Sequence, residues 1–338
     1  MKRLICAFLV LCMILPGCAT KPEMKKYTAT YLTLFDTVTT IVGFAESEEA
    51  FTEIAQKIHD DLLVYHQLFD VYNDYEGINN LKTINDNAGI ASVQVDEKII
   101  ALLQECKSYY DLTSGKVNVA MGSVLKLWHE ARNDGINDPV NAYLPDAQKL
   151  AEAAEHADFS CVVIDEVAST VYLSDPNMRL DVGAVAKGWA AEQVAQAAPK
   201  GLLISVGGNV CATGPKDADG TPWVVGIQDP NGGDYLHTIY VSSGSVVTSG
   251  DYQRAYAVDG NVYHHIIDPA TLYPSAYWRS VTVVCEDSAL ADALSTALFV
   301  LPLEEGKALL ERSAAEAMWV DADGKIFYSN NFQAMIRT

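Results

Sequence analysis

Two short segments with hairpin chemistry constrain the fold of this chain most. Asp259-Gly260 lies between residues 255–258 and 262–265, and Asp323-Gly324 lies between residues 318–320 and 326–328, which are all rich in strand-forming residues. Asp-Gly is favoured in tight turns between paired strands because such turns need positive φ angles. Consecutive strands joined in this way are antiparallel, so the sequence predicts antiparallel sheet.

Amphipathic helices alternate with further strand patterns. Apolar residues recur at helical spacing from Ser47 to Phe69, with Ser47 as a possible N-cap, from Asp96 to just before Gly115, and over residues 147–157. Runs typical of strands cover residues 161–164, 170–173, 202–206, 223–227, 238–241 and 280–284. No repeat of fixed period and no Pro/Ser-rich linker follows residue 30. We therefore predict one compact α+β domain over residues 31–338, with largely antiparallel sheets and packed helices.

The N-terminal residues follow the pattern of a secretory signal. Lys2 and Arg3 precede an apolar run from Leu4 to Leu15, and Pro16-Gly17-Cys18 follows. The run is too short for a permanent transmembrane helix, which needs roughly 20 apolar residues. Its end resembles a bacterial lipoprotein processing site, which implies removal of residues 1–17, acylation of Cys18, a tether over residues 18–30 and an extracytoplasmic protein anchored to a bacterial membrane. An ordinary signal peptide cleaved near Ala19 is the alternative.

Charge and cysteine spacing argue against two classes of function. The chain has 23 basic and 44 acidic residues, a formal net charge of -21, which disfavours a nucleic-acid partner bound through its phosphates. The cysteines of the folded part, Cys106, Cys161, Cys211 and Cys285, form no CxxC pair. A thiolate metal site is therefore not indicated, and we expect single buried thiols.

The segment from Arg179 to Glu192 is the most informative for chemistry. A short strand enters a turn of small residues and continues into a helix with Lys187 in its first turn, an arrangement that offers backbone N–H groups and a cation to a phosphate. It matches neither GxGxxG nor the P-loop, so tight packing of strand against helix is an alternative explanation. A second glycine-rich turn, Gly207-Gly208-Asn209, follows a strand and either lets a ligand approach the backbone or is a plain turn.

Two C-terminal segments carry groups suited to acid/base and metal chemistry. Thr248 to Tyr252 precedes a hairpin that leads to His264-His265 and Asp268. Because alternate residues of a strand face opposite sides, we expect that His264 and His265 cannot both point at one site. Asp292 and Thr296 are four residues apart on a predicted helix, so their oxygens lie on one face and could share a hard cation such as Mg²⁺. The alternative is a solvated aspartate with an inward-packed threonine.

Taken together, these segments in this order resemble the ApbE family, the FAD:protein FMN transferases. The most specific pieces are residues 181–188, 206–209, 248–252, 265–269 and 292–296, and the resemblance extends from Leu34-Phe35-Asp36-Thr37 through most of the chain. It implies an α+β fold with Mg²⁺ held by the Ala184 carbonyl, Asp292 and Thr296, and with His265 as the candidate catalytic residue. The residues that it implies for FAD binding are Phe35, Tyr72, Val119, Ala120, Met121, Asp181, Lys187 and Ile267.

This chain departs from the family pattern at three places. Asp36 stands where many members have glycine, and Ala120 stands where threonine is common. Ala270-Thr271-Leu272 stands where Arg-Thr-Gly is usual. The last change alters both the turn geometry and the charge of the loop after Pro269, which makes that loop the least securely assigned part of the site.

The resemblance implies a reaction in which a Ser/Thr hydroxyl of a target protein attacks the flavin-side phosphorus of FAD and AMP leaves. His265 could take the hydroxyl proton, with Asp268 or Asp251 orienting it, and subunits of membrane redox pumps are the family's usual acceptors. Two alternatives remain open from the sequence: a FAD diphosphatase that uses water, and a lipoprotein that binds FAD without chemistry. A solute receptor for another ligand is less well supported, since two similar lobes are not evident.

Overall fold

The computed structural model describes residues 23–337, so the predicted signal segment 1–17 and Cys18 lie outside the described residues. In this range no helix is long and apolar enough to cross a membrane. The strands are β1 (Lys25–Leu34), β2 (Thr37–Ala45), β3 (Val93–Gln94), β4 (Val162–Asp165), β5 (Thr170–Leu173), β6 (Leu202–Val206), β7 (Asn209–Ala212), β8 (Trp223–Gln228), β9 (Tyr235–Val241), β10 (Gly244–Gly250), β11 (Tyr256–Val258), β12 (Asn261–Tyr263), β13 (Ser280–Cys285), β14 (Ala315–Val320) and β15 (Ile326–Tyr328). The α-helices are α1 (Glu48–Phe69), α2 (Leu81–Asp86), α3 (Glu97–Leu112), α4 (Gly122–Asn137), α5 (Ala147–Ala154), α6 (Ala186–Ala197), α7 (Ser288–Phe299) and α8 (Leu303–Leu310).

The first strand begins inside the range predicted as a tether. β1 pairs antiparallel with β2 from Lys25 opposite Ala45 to Leu34 opposite Thr37. Its backbone groups are therefore used in a sheet ladder instead of being left to water. The tether prediction is wrong for residues 25–30, and its part before residue 23 lies outside the described residues.

An eight-stranded sheet organises the domain, in the order β1-β2-β6-β7-β10-β13-β14-β15. Every neighbouring pair in it is antiparallel, which confirms the predicted α+β class. Helices α1, α6 and α7 pack on one face of this sheet, and the β8–β9 hairpin covers part of the other face. A three-stranded sheet, β3-β5-β4, and the helices α2 and α3 share the largest apolar core with α7, so the whole described chain packs as one unit.

Local sequence signals account for several of these elements. The Ser47 Oγ accepts a hydrogen bond from the Ala50 N–H at the start of α1, and Asp96 caps α3 in the same way. Asp259 and Gly260 have φ angles of 50° and 80°, as a two-residue hairpin turn requires. Both predicted hairpins are confirmed. The four cysteines of the described chain are unpaired thiols, and Cys161 is half-buried where the others are buried.

Candidate active-site cleft

A cleft of about 820 Å³ opens beside the C-terminal end of β10, between the large sheet with its helices and the smaller part built on α2 to α5. Its volume falls within the range usual for small-molecule sites. Most of the residues singled out from the sequence line it, although they come from distant parts of the chain. These are Phe35, Tyr72, Met121, Asp181, Ala184, Lys187, His265, Ile267, Asp292 and Thr296.

Three predicted site residues lie elsewhere. Val119 and Ala120 are fully buried behind the wall of the cleft, and the Val119 carbonyl accepts a hydrogen bond from the Asp181 N–H at 2.8 Å. They can therefore position Asp181 and Met121, but they do not face the cavity. Asp268 is also buried outside the cavity lining.

Asp292 is a deeply buried carboxylate on α7. Only 3% of the residue is exposed, its Oδ2 accepts a hydrogen bond from the Gly188 N–H at 2.8 Å, and the Lys187 Nζ lies 3.7 Å from the same oxygen. Burial raises the pKa of Asp292, while Lys187 and the Gly188 N–H oppose that rise. Asp292 is thus a carboxylate that a further cation would stabilise.

The start of α6 leaves one backbone carbonyl without its helical partner. The Ala186 and Trp189 N–H groups donate to the carbonyls four residues earlier, those of Val182 and Val185. The Gly188 N–H donates to Asp292 instead, so the Ala184 carbonyl accepts no hydrogen bond from the residues that the structure describes. A carbonyl released in this way at the wall of a cleft is available to a ligand.

The oxygen donors here suit a hard cation. A carboxylate, a hydroxyl and a backbone carbonyl are the ligand types that Mg²⁺ prefers, and water and substrate phosphates commonly complete its octahedron. The buried Asn209 side chain also lowers the Asp292 pKa and so lies close to the carboxylate. Within residues 23–337 there is no cluster of three or more His, Cys, Asp and Glu side chains placed to hold a metal. A cation bound here would therefore depend on the Ala184 carbonyl and the Thr296 hydroxyl.

Gly188 is a residue whose role the sequence alone did not indicate. A Cβ atom at this position would stand 2.5 Å from the Asp292 Cβ and closer still to the Ser288 carbonyl. Only glycine lets the first turn of α6 approach α7 this closely. The contact brings the Gly188 N–H to Asp292 and so holds two of the predicted metal ligands beside each other.

The His265 ring is held in one defined tautomer. Its Nδ1 lies 3.1 Å from the Gln253 carbonyl oxygen. A carbonyl only accepts, so Nδ1 carries the proton and Nε2 keeps its lone pair. Burial, followed by the charges of Arg254 and Lys187, lowers the pKa of His265 to about 3. The imidazole is therefore neutral at physiological pH and can accept a proton at Nε2.

The two histidines do not alternate as a continuous strand would require. β12 ends at Tyr263, so His264 and His265 lie beyond the regular strand and both border the cleft. The His264 ring nitrogens are both engaged by backbone groups, the Ser275 carbonyl at 2.8 Å and the Ile266 N–H at 3.2 Å. His264 is thus a structural residue of the wall.

Neither aspartate predicted to orient His265 makes that contact in the described structure. Asp268 pairs with Lys116 at 3.1 Å and accepts the Ala270 N–H at 3.0 Å, and the Asp251 Oδ2 pairs with Arg279 at 2.5 Å. Each carboxylate pairs with another cation in this structure, Lys116 for Asp268 and Arg279 for Asp251, so their orienting role stays a prediction. The backbone carbonyl of Gln253 takes that role, and sequence patterns carry no signal for such a contact.

Positive φ angles explain why glycine is usual at two of the positions where this chain departs from the family pattern. Asp36 has φ 52° and Leu272 has φ 64°, so both occupy the left-handed region that favours glycine. At position 272 the chain keeps this geometry without glycine. The Leu272 carbonyl accepts the Trp128 Nε1–H at 2.9 Å, and its N–H donates to the Asp268 carbonyl at 2.8 Å.

Two arginines of the cleft, Arg132 and Arg254, were not among the predicted site residues. Arg132 lies on α4, a helix that the sequence patterns did not reveal, and Arg254 lies two residues after the predicted segment 248–252.

Known proteins resemble this chain over most of its length. The model of the ApbE family matches residues 33–319. The FAD:protein FMN transferase of Treponema pallidum (strain Nichols) is 37% identical over 266 residues, which cover 73% of this chain and 72% of that protein. The FAD:protein FMN transferase of Klebsiella pneumoniae (strain 342) is 32% identical over 286 residues, which cover 80% of this chain and 86% of that protein.

Solved structures of other proteins share the fold of this chain. The ApbE protein of Thermotoga maritima superposes with a TM-score of 0.81 at 32% identity, covering 93% of this chain and 100% of that one. The flavin transferase ApbE from Vibrio cholerae, at 22% identity, shares the fold with a TM-score of 0.75 over 93% of this chain and 100% of that one. With a family match from residue 33 to residue 319 and relatives above 30% identity, the chain belongs to the ApbE family.

Proposed function

We propose that this protein transfers the FMN moiety of FAD to a Ser or Thr hydroxyl of a target protein, with release of AMP and with Mg²⁺ as cofactor. The observation that carries the proposal is the meeting of the free Ala184 carbonyl, Asp292 and Thr296 at one end of the cleft. The names of its relatives, FAD:protein FMN transferases, support the same reaction.

The metal end of the cleft, formed by Ala184, Asp292 and Thr296, is suited to the FAD diphosphate. Mg²⁺ held by the Ala184 carbonyl, Asp292 and Thr296 would offset negative charge on the phosphate oxygens. Lys187, whose Nζ lies 3.7 Å from Asp292, adds a second positive charge at this end. Phosphoryl chemistry depends mainly on such positioning and charge neutralisation, and both come from the contact between α6 and α7.

His265 is suited to the proton transfer. The acceptor oxygen forms a bond to the flavin-side phosphorus while the bond from that phosphorus to the AMP phosphate breaks. The hydroxyl proton passes to the free Nε2 of His265, and the Gln253 carbonyl holds the protonated Nδ1 throughout. A storage protein would need neither this neutral base nor the oxygen donors at the other end.

Transfer is tested by an assay with FAD and Mg²⁺, run with and without a synthetic peptide that carries one Ser or Thr. We expect flavin on the peptide in a one-to-one ratio with AMP, measured by mass spectrometry and chromatography. A parallel reaction with EDTA is the control for the metal and should release no AMP. Equal AMP release with and without peptide, and no flavin on the peptide, would identify a diphosphatase instead.

The pH dependence of the reaction tests the role of His265. Because the pKa of its folded form lies near 3, far below the ordinary histidine value, the ring stays neutral as the pH falls through 6.5. The groups that hold it low, beside burial, are Arg254, Lys187, His264 and Arg132. We expect kcat/KM, which reports the free enzyme, to show no acid limb between about pH 5 and 7. An acid limb near pH 6.5 would contradict the low pKa of His265.

The N-terminal pattern supports an extracytoplasmic location with a lipid anchor at Cys18. Anchoring would hold the cleft near acceptors in the same membrane, such as subunits of redox pumps. Intact-mass measurement of the protein extracted from membranes should find a chain that starts at an acylated Cys18. A mature chain that starts at Ala19 or Thr20 without lipid would show that the anchor is absent.

A further inference from the structure

Two hydrogen bonds join α6 and α7 in opposite directions. The Gly188 N–H, in the first turn of α6, donates to the Asp292 carboxylate on α7 at 2.8 Å. The Ser288 N–H, in the first turn of α7, donates to the Glu192 carboxylate on α6 at 2.7 Å. The two bonded positions are four residues apart on each helix and follow in opposite order, so the helices run antiparallel. Each helix thus offers a carboxylate to the first turn of the other.

Glu192 provides the acceptor that the start of α7 lacks. Asp287 accepts the N–H groups of residues 289–291, through its side chain and its carbonyl. The remaining donor of this turn is the N–H of Ser288, a residue that is 0% exposed. A buried N–H without an acceptor is unfavourable, because water cannot replace the missing partner. The carboxylate that fills this place comes from α6, so the cap of α7 is also a contact between the two helices.

The Glu192 carboxylate is used entirely for local hydrogen bonds. Its Oε2 accepts the Ser288 N–H, and its Oε1 accepts a hydrogen bond from the Gln196 Nε2 at 2.9 Å. Within residues 23–337 it forms no ion pair. A negative charge is favourable at the N-terminal end of a helix, which is where α7 receives it. Glu192 also lies outside the lining of the cleft, so it does not touch a ligand there.

The placement of α6 against α7 decides whether the predicted metal ligands meet. The Ala184 carbonyl lies just before α6, whereas Asp292 and Thr296 lie on α7. The hydrogen bond of Gly188 alone would leave α7 free to slide along α6 or to pivot about one point. The second bond lies four residues away on each helix, about 6 Å at 1.5 Å per residue. Two bonds at this separation fix both the slide and the crossing angle of the helices.

We propose that Glu192 is a positioning residue of the metal site, which holds α7 in register with α6 so that Asp292 and Thr296 stay beside the Ala184 carbonyl. The inference rests on the proposed function for the identity of the cation, Mg²⁺. Glu192 acts through the reach of its side chain and its acceptor oxygen. A glutamine at this position keeps both, since its amide oxygen can accept the Ser288 N–H. An aspartate keeps the charge but is one methylene group too short.

The experiment compares Glu192→Gln, Glu192→Asp and Glu192→Ala with the wild type in the absence of FAD. Mg²⁺ affinity is measured from the rise in unfolding temperature over a Mg²⁺ titration, since a ligand of the folded state stabilises it. We expect the Asp and Ala variants to bind Mg²⁺ about tenfold more weakly, the effect of one lost hydrogen bond to a charged group. The Gln variant should bind it as the wild type does.

Hydrogen exchange gives a second readout that does not involve the metal. The Ser288 amide should exchange faster in the Asp and Ala variants than in the wild type, and at the wild-type rate in the Gln variant, as measured by mass spectrometry of the peptide that covers the start of α7. Gln196→Ala is the matched control. It removes the other hydrogen bond of Glu192 and leaves the bond to Ser288, so Mg²⁺ affinity should stay that of the wild type.

The pattern across the variants separates positioning from the other roles of a carboxylate. Wild-type Mg²⁺ affinity in the Asp and Ala variants, even with a lower free energy of unfolding, would overturn the inference and leave Glu192 a structural cap. Weak binding in the Gln variant with wild-type binding in the Asp variant would also overturn it, because charge would then be the cause. This comparison holds even if the Ala variant does not fold. No response of the wild type to Mg²⁺ is a distinct outcome that would remove the metal site and this inference together.

Discussion

Asp292→Asn is expected to lower the rate of FMN transfer by about a thousandfold, because a metal at this end of the cleft contributes several kcal/mol to the transition state. The substitution removes the negative charge that would hold Mg²⁺ but keeps the shape of the side chain. The amide oxygen can still accept the Gly188 N–H that the carboxylate accepts at 2.8 Å. The measurement is the initial rate of peptide labelling at several Mg²⁺ concentrations.

The stability of Asp292→Asn distinguishes a metal ligand from a structural residue. Burial raises the pKa of this carboxylate, so its charged form is unfavourable in the metal-free protein. We expect the variant to unfold at a temperature equal to or above that of the wild type without Mg²⁺. Mg²⁺ should raise the unfolding temperature of the wild type alone, since a ligand of the folded state stabilises it.

Asp287→Asn is the matched control on the same helix. Asp287 caps α7 by accepting hydrogen bonds from the Ala289 and Leu290 N–H groups. The Asp287→Asn variant should keep the rise in unfolding temperature on addition of Mg²⁺. Transfer by Asp292→Asn at the wild-type rate and low Mg²⁺ would remove Asp292 from the metal site. A loss of stability without a loss of the Mg²⁺ response would assign it a structural role.

Gly188→Ala is expected to have the second large effect, on Mg²⁺ affinity and on stability together. The added methyl group would collide with the Ser288 carbonyl and the Asp292 Cβ, so α6 must move away from α7. Overpacking of this kind costs about 1–3 kcal/mol, more than the roughly 1 kcal/mol that alanine gains over glycine in a helix. The shift would also weaken the Gly188 hydrogen bond to Asp292 and separate Ala184 from the carboxylate.

The measurements for Gly188→Ala are the free energy of unfolding in urea and the rise in unfolding temperature on addition of Mg²⁺. Gly306→Ala is the matched control, a helical glycine whose added methyl group would meet only side chains, at 3.3 Å or more. Its stability should change little and its Mg²⁺ response should stay intact. Wild-type Mg²⁺ affinity in Gly188→Ala would show that the close approach of the two helices is not needed.

Local patterns in the sequence determined much of the secondary structure. Caps such as Ser47 and Asp96 and the Asp259-Gly260 turn act within a few residues, so their effect can be read from the chain itself. α4 was missed because its N-cap residue, Met121, makes no side-chain capping hydrogen bond. β1 was missed because a short polar stretch before it resembles a tether until its partner strand is known.

The candidate site also has a part that could be predicted from the sequence and a part that could not. Motif spacing and family resemblance predicted Ala184, Asp292 and His265 as site residues, since the segments that carry them follow one another in the order typical of the family. The partners of these residues could not be read from the sequence. Asp268 binds Lys116, 152 residues away, and Gly188 meets Asp292, 104 residues away.

By itself, the sequence determined much of the secondary structure, the α+β class, the family and the residue types predicted for the site. Only the tertiary structure decided that the Ala184 carbonyl is released, that Gln253 selects the His265 tautomer and that Arg132 and Arg254 line the same cleft. The physical reason is that helix caps and turns are local interactions, whereas these contacts join backbone and side-chain groups that only the packing of distant elements brings within hydrogen-bond distance.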